Sequence, residues 1–203
     1  SSGGTYKEIK KLGFICEKIS NYTDTPEILD GRVKTLHPKI HGGLLAQRNN
    51  KNHMQKLKTL NITPVDMVVI NLYPFKNKTT ACSRHEEIIE AIDIGGSTLM
   101  RAAAKNYQDV MIVSNPDDYE LVSTAIKNDE VLLNLRFSLA LKAFDYSAKY
   151  ENDISNYFHR LNTKNTRSMT TRNNFSDPSN LEQSILSLNL KKYSDLRYGE
   201  NPH

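Results

Sequence analysis

The chain has 203 residues, 38% apolar and 25% charged, and its 27 Lys and Arg against 23 Asp and Glu leave a net charge of +4. A chain of this length can bury a core of its own; no apolar run approaches the roughly 18 residues of a membrane span, and no basic-then-apolar leader opens it, so a cytosolic address is expected. The mild positive charge suits an anionic small molecule. Aromatics such as Tyr73 and Phe75 are not interleaved with basic residues as a nucleic-acid surface requires, so neither nucleic acid nor membrane is an expected partner.

In chain order, "TYKEIKKLG" places Ile9 and Leu12 on one face of a short helix that stops at Gly13. "FICEKI" has the composition of a brief strand, and "TPEILD" offers Thr25 as N-cap and Pro26 at the first position of a short helix. "DGRVKTLHPKIHGG", residues 30–43, lacks helical periodicity and reads as a basic loop between glycines. "NHMQKLKTL" is an amphipathic helix through Met54, Leu57 and Leu60, and "VDMVVINLY" is apolar enough for a buried parallel strand. "SRHEEIIEAI" opens on a Ser-x-x-Glu capping box, Ser83 and Glu86. "DVMIVS" is a second buried strand, and "NPDDYELVSTAI" starts a helix with Asn115 as cap and Pro116 in its first turn. From Glu130 to Leu161 the pattern is helical.

Strand and helix alternate first and helices follow alone, which predicts an α/β fold: a parallel sheet flanked by helices, then a helical extension. Residues 162–180, rich in Asn, Ser and Thr, read as a linker that marks a domain boundary. The chain opens without Met at a Gly pair and stops at "LRYGENPH", so it reads as a piece of a longer protein. Cys16 and Cys82 lie far apart without CxxC spacing and read as reduced and structurally idle.

Four stretches carry candidate chemistry. "SSGGT" is a Gly-rich turn before a helix, where backbone N–H groups and the helix dipole favour a phosphate, although a plain turn has the same signature. Arg32 and Lys34 lean towards anion recognition in their loop; His37 and His41 have helical metal-ligand spacing, but Pro38 between them argues against that helix, so no metal is expected. Asn71 and Tyr73 would emerge at the carboxyl end of a parallel strand, where ligands bind, or else simply turn at Pro74. Asp93 precedes "IGGSTLMRAAAKN" as a helix cap or a positioned base, and Lys105 lies at the far end of that helix. If Gly96 to Lys105 form one straight helix, nine rises of 1.5 Å separate its ends by roughly 13 Å. Asp93 and Lys105 then share a substrate only through a bend or a second subunit.

"SSGGT", "DGRVKTLHPKIHGGLLA", "VVINLYPF", "IDIGGSTLMRAAAKN" and "DISNYF" occur in the order found in the AICAR transformylase/IMP cyclohydrolase family, which the chain resembles over roughly residues 1–160. "LRYGENPH" resembles the opening of that family's transformylase domain. The resemblance implies a methylglyoxal-synthase-like α/β fold. It implies an IMP cyclohydrolase domain over 1–161 without the family's first strand and its Ser/Lys-bearing turn, the linker at 162–180, and the start of the transformylase domain over 181–203. A sheet lacking that strand would leave an apolar gap, and these residues alone would be inactive or unstable. The activity implied is dehydrative closure of 5-formamidoimidazole-4-carboxamide ribonucleotide to IMP in de novo purine biosynthesis, by a homodimer. Lys34, Tyr73, Asp93 and Lys105 match the family's catalytic positions; Ser2, Gly3, Gly4, Thr5, Arg32, Thr35, Asn71 and Ile94 match its substrate-binding ones. The cyclohydrolase needs no cofactor, whereas the transformylase would use 10-formyltetrahydrofolate. Rival readings are a regulatory phosphate-ligand-binding module of the same fold, as in carbamoyl-phosphate synthetase, and methylglyoxal synthase itself. Neither needs the Arg-Val-Lys-Thr-Leu-His-Pro and Asn-Leu-Tyr-Pro-Phe stretches or the pairing of "DIGG" with "AAAKN".

Overall fold

The structure is a computed structural model that describes residues 1, 3–80 and 84–162. The expected capping Ser83, Cys82, Ser2, the linker beyond Asn162 and the segment 181–203 lie outside the described residues. The chain divides into two compact units, Ser1–Ile154 and Ser155–His203. In order, the elements are α1 (Gly3–Lys11), α2 (Ile19–Thr23), a 3-10 turn (Leu29–Gly31), α3 (Pro38–Leu45), α4 (Lys51–Thr59) and β1 (Met67–Val69). They continue with α5 (Phe75–Thr80), α6 (His85–Glu90), α7 (Ile94–Lys105), β2 (Met111–Val113), a 3-10 turn (Pro116–Asp118), α8 (Tyr119–Lys127) and α9 (Leu133–Asn162).

The two strands pair in parallel, Met67 opposite Met111 and Val69 opposite Val113. This is the α/β arrangement the alternating pattern predicts. Val110 to Val113 are all buried, and Met111 and Val113 pack with Val122 of α8 and Leu139 of α9. Helix α7 presents Met100, Ala102, Ala103 and Ala104 to the interior and packs on α3 and on both strands. Small alanines let those elements approach closely. Buried Asn106 then ties α7 to α3, donating from Nδ2 to the carbonyls of Leu44 (2.9 Å) and Ala46 (3.1 Å).

Four local expectations are corrected. "FICEKI" forms no strand: residues 14–18 have no regular structure, and Phe14 and Ile15 are exposed. An extended segment becomes a strand only where a neighbour completes its ladder. "TPEILD" forms no helix with Thr25 as cap. Instead Ile28 and Val33 exchange both backbone hydrogen bonds, taking the groups a helix would have used. The "HPKIHGG" end of the basic segment is not loop but α3. Pro38 opens it, because a first-turn proline lacks only an N–H that no helix could use. Finally, β1 is three residues long with Met67 and Val69 exposed, since β2 is its only partner among the described residues. Elsewhere Asn115 caps the turn before α8 through Asp117 N–H, as its spacing predicts.

Candidate active site

The segment 28–37 is folded by its backbone. Leu29, Asp30 and Gly31 all have positive φ, 52°, 54° and 87°, and the Ile28–Val33 bridge closes the turn. Such a conformation strains Leu and Asp and suits Gly. A Cβ at Gly31 would also stand 2.7 Å from Lys34 Cε and push the lysine aside. Lys34 therefore folds back across Gly31, and its ammonium pairs with Glu27 at 3.3 Å. The same ammonium would lie 3.9 Å from a Cβ on Gly3, so it sits over the first turn of α1. Gly3 and Gly4 are part of that helix, not a turn ahead of it; they and Thr5 are exposed.

The next residue reaches a second helix start. A Cβ on Gly95 would stand 2.7 Å from Thr35 Oγ1, which places the hydroxyl against the first turn of α7. Asp93 caps that turn, its Oδ1 accepting from Gly96 N–H at 2.7 Å. Asp93 itself is held by α9: its N–H donates to Tyr150 Oη at 2.8 Å, and the Tyr150 hydroxyl donates to Ala91 O at 3.3 Å. Burial first, and the Asp93 charge second, raise the pKa of Tyr146 one turn earlier on α9. Burial is also the main reason the Tyr150 phenol is raised. Both phenols stay protonated through neutrality.

Beyond the carboxyl ends of the strands lies a cleft of about 600 Å³, lined by Asn71 after β1, by Ser114, Asn115 and Pro116 after β2, and by Lys142, Asp145 and Tyr146 of α9. Parallel sheets bind ligands at this end. Asn71 Nδ2 donates to Tyr119 Oη at 3.0 Å. Lys142 also pairs with Asp118, a carboxylate that is almost wholly buried.

Contacts thus link Gly3 with Lys34 and Thr35 with Gly95, beside the cap Asp93; Asn71 stands in the cleft with Tyr146. Other expected residues stand apart. Arg32 is paired with Glu90 of α6 through Nε and Nη2 (3.1 and 2.5 Å), both side chains largely in water. Those hydrogen bonds hold Glu90 below the usual carboxylate value and Arg32 above its own. Tyr73 and Ile94 are exposed, unlike the buried Leu72 and Phe75 beside Tyr73. Lys105 ends an unbroken α7, whose eleven rises put it about 17 Å from Ile94.

The two histidines have separate duties. His37 caps α3, accepting at Nδ1 from Lys39 N–H at 3.1 Å. His41 carries a buried Nε2 that has no hydrogen-bond partner among the described residues. Burial lowers its pKa, opposed by the Thr35 carbonyl. Among the described residues no three His, Cys, Asp or Glu side chains gather as a metal site. The sequence reading missed Glu27, Glu90 and the Tyr146–Tyr150 pair. The tyrosines' one available signal was their spacing of four on a helix.

Two family models match the chain: an MGS-like domain over residues 1–98 and an AICARFT/IMPCHase bienzyme over residues 103–203. The bifunctional purine biosynthesis protein PurH of Clostridium acetobutylicum is 46% identical over 207 residues, covering 100% of this chain and 37% of the relative. The PurH proteins of Acetivibrio thermocellus and Caldicellulosiruptor bescii, at 45% and 46%, are covered to the same extent. The chain belongs to the PurH family. It spans 37% of the length of these PurH relatives, and the expected methylglyoxal-synthase-like fold agrees with the matched domain. The crystal structure of ForH is similar, with a TM-score of 0.65 and 32% identity over 77% of this chain and 81% of that one.

Proposed function

We propose that this chain carries the IMP cyclohydrolase activity of the PurH pair, closing 5-formamidoimidazole-4-carboxamide ribonucleotide to IMP with loss of water. The observation that carries the reading is the double reach of one loop. Lys34 lies over the first turn of α1, and Thr35 lies against the first turn of α7, in a chain whose full length resembles PurH. The 5′-phosphate is assigned to Ser2, Gly3, Gly4 and Thr5, where helix N–H groups and the Lys34 ammonium offset its charge. Arg32, Thr35, Asn71 and Ile94 are assigned to the rest of the nucleotide.

The carboxamide nitrogen attacks the formyl carbon of the same molecule. A C–N bond forms, the carbonyl oxygen becomes a hydroxyl, and its C–O bond then breaks to release water. Holding the two groups in contact supplies much of the acceleration. Lys34 and Tyr73 donate to the developing oxyanion, while Asp93 and Lys105 move the two protons. Because α7 is unbroken, we assign Asp93 and Lys105 of one site to two copies of the chain, as a homodimer. Mixing inactive Asp93→Asn and Lys105→Gln proteins should then restore part of the turnover; no recovery would count against the shared site.

No cofactor enters this reaction. Formyl transfer from 10-formyltetrahydrofolate belongs, on the same reading, to the PurH length that this chain does not span, with residues 1–161 the cyclohydrolase domain, 162–180 the linker and 181–203 the start of the next domain. No helix among the described residues is long and apolar enough to cross a membrane; the cytosolic address is part of the same proposal. The test is the ultraviolet change on ring closure when the full-length protein containing this chain meets the formylated ribonucleotide, repeated with Lys34→Ala and Tyr73→Phe. Both substitutions should slow it severely; unchanged rates in both would remove this site.

A further inference from the structure

We infer that Tyr150 is a positioning residue that holds Asp93 in place for proton transfer and couples it to the segment carrying Tyr73. The inference rests on the cyclohydrolase reading above. Tyr150 is 5% exposed, and its hydroxyl makes two bonds to the chain turning from α6 into α7. It accepts from Asp93 N–H at 2.8 Å and donates to Ala91 O at 3.3 Å. Asp93 is the capping residue, with extended backbone (φ −85°, ψ 104°), so no helical bond within α7 fixes its own N–H. The phenol takes that place. Its ring meets Phe75 edge-on, centroids 6.2 Å apart at 69°, and Phe75 is 1% exposed. Phe75 follows Tyr73 by two residues, and its N–H donates to Tyr73 O at 2.8 Å. One side chain therefore touches both segments that carry proposed catalytic groups.

The chemistry explains why tyrosine stands here. A phenylalanine would fill the same volume and keep the edge contact with Phe75, but it would leave the half-buried Asp93 N–H and Ala91 carbonyl without their partner. The turn would then hold Asp93 less tightly, and small misplacements of a reacting group are expensive in rate. Burial keeps the phenol protonated, so the bond to Ala91 persists across neutrality.

The experiment compares wild type, Tyr150→Phe, Asp93→Asn and the double variant in the full-length protein, following ring closure of the formylated ribonucleotide. Tyr150→Phe should lower kcat by about 10- to 100-fold with KM changed less than about threefold. In the Asp93→Asn background the same change should have almost no further effect, because the phenol acts through Asp93. An equal loss in both backgrounds, or full kcat in Tyr150→Phe, overturns the inference. Full turnover in Asp93→Asn overturns the site reading itself, and the positioning role with it. If Tyr150→Phe fails to fold, amide exchange in the unaltered protein decides: the Asp93 N–H should be slowed at least about 100-fold, and rapid exchange there overturns the inference.

Discussion

Gly42 and Gly43 are neighbours on α3, yet the structure gives them opposite tolerances. A Cβ on Gly43 would stand 2.6 Å from the backbone oxygen of Thr63 and 3.3 Å from Val65 Cγ2, whereas one on Gly42 meets only side-chain tips, the nearest being Ile62 Cδ1 at 3.4 Å. The Thr63 segment cannot easily retreat, because Val65 N–H donates to the Gly43 carbonyl at 3.1 Å. Overpacking of this kind costs about 1–3 kcal/mol, and a lost backbone hydrogen bond costs about 1 kcal/mol more. The better helix propensity of alanine returns at most about 1 kcal/mol. Gly43→Ala should thus destabilise by about 1–3 kcal/mol, while Gly42→Ala should be neutral or stabilise by up to about 1 kcal/mol. At about 2–4 °C per kcal/mol for a domain of this size, Gly43→Ala melts about 2–12 °C lower and Gly42→Ala melts level with wild type or a few degrees higher. Melting followed by circular dichroism reads both. A Gly43→Ala protein as stable as wild type, or an equal fall in the two variants, would refute the close approach of α3 to residues 63–65.

Gly95→Ala drives its Cβ into Thr35 Oγ1; the displaced hydroxyl should raise KM for the formylated ribonucleotide about tenfold, and steady-state kinetics with an unchanged KM would contradict its placement. His41 is held neutral by burial, so the unfolded chain binds its proton first. The stability His41 contributes is complete above about pH 6.5 and declines as pH falls towards its lowered folded pKa. Urea unfolding at pH 7.5 and 5.5 should therefore show a smaller acid loss in His41→Gln than in wild type. Glu90→Gln releases Arg32 from a pair that lies in water, so melting should hardly change while KM falls; a raised KM would mean that Glu90 orients Arg32 for substrate.

What could be read from the sequence divides along physical lines. The amphipathic "NHMQKLKTL", the buried "DVMIVS" and the capping Asn115 were legible because local pattern decides them. "FICEKI" and "TPEILD" were not, since each has strand or helix composition but its backbone partners lie elsewhere. Asp93 was legible as a cap from its place before "IGG". The phenol of Tyr150 that fixes Asp93 was not, because the contact joins residues 57 positions apart. The reach of Lys34 and Thr35 to two helix starts is likewise set by packing, although the positive φ of Gly3 and Gly31 and the tight contact at Gly95 mark positions that suit glycine. Pro38 misled in the other direction: it forbids a helix interior and favours a helix start.

The basic loop combines fixed geometry with exchangeable charge. Its path is set by the Ile28–Val33 bridge, by three consecutive positive φ angles and by the contact of Thr35 with Gly95, none of which depends on a charged side chain. Its cations are held differently. Arg32 faces Glu90 in a pair largely in water and Lys34 faces Glu27 in a partly covered one; screening weakens the first most. A doubly charged phosphate against helix N–H groups and a lysine is a stronger partner than a single exposed carboxylate. On the proposed reading, substrate would replace Glu27 at Lys34 while the bridge and the turn keep the loop in place. The backbone keeps the position, and the carboxylates keep the cations paired.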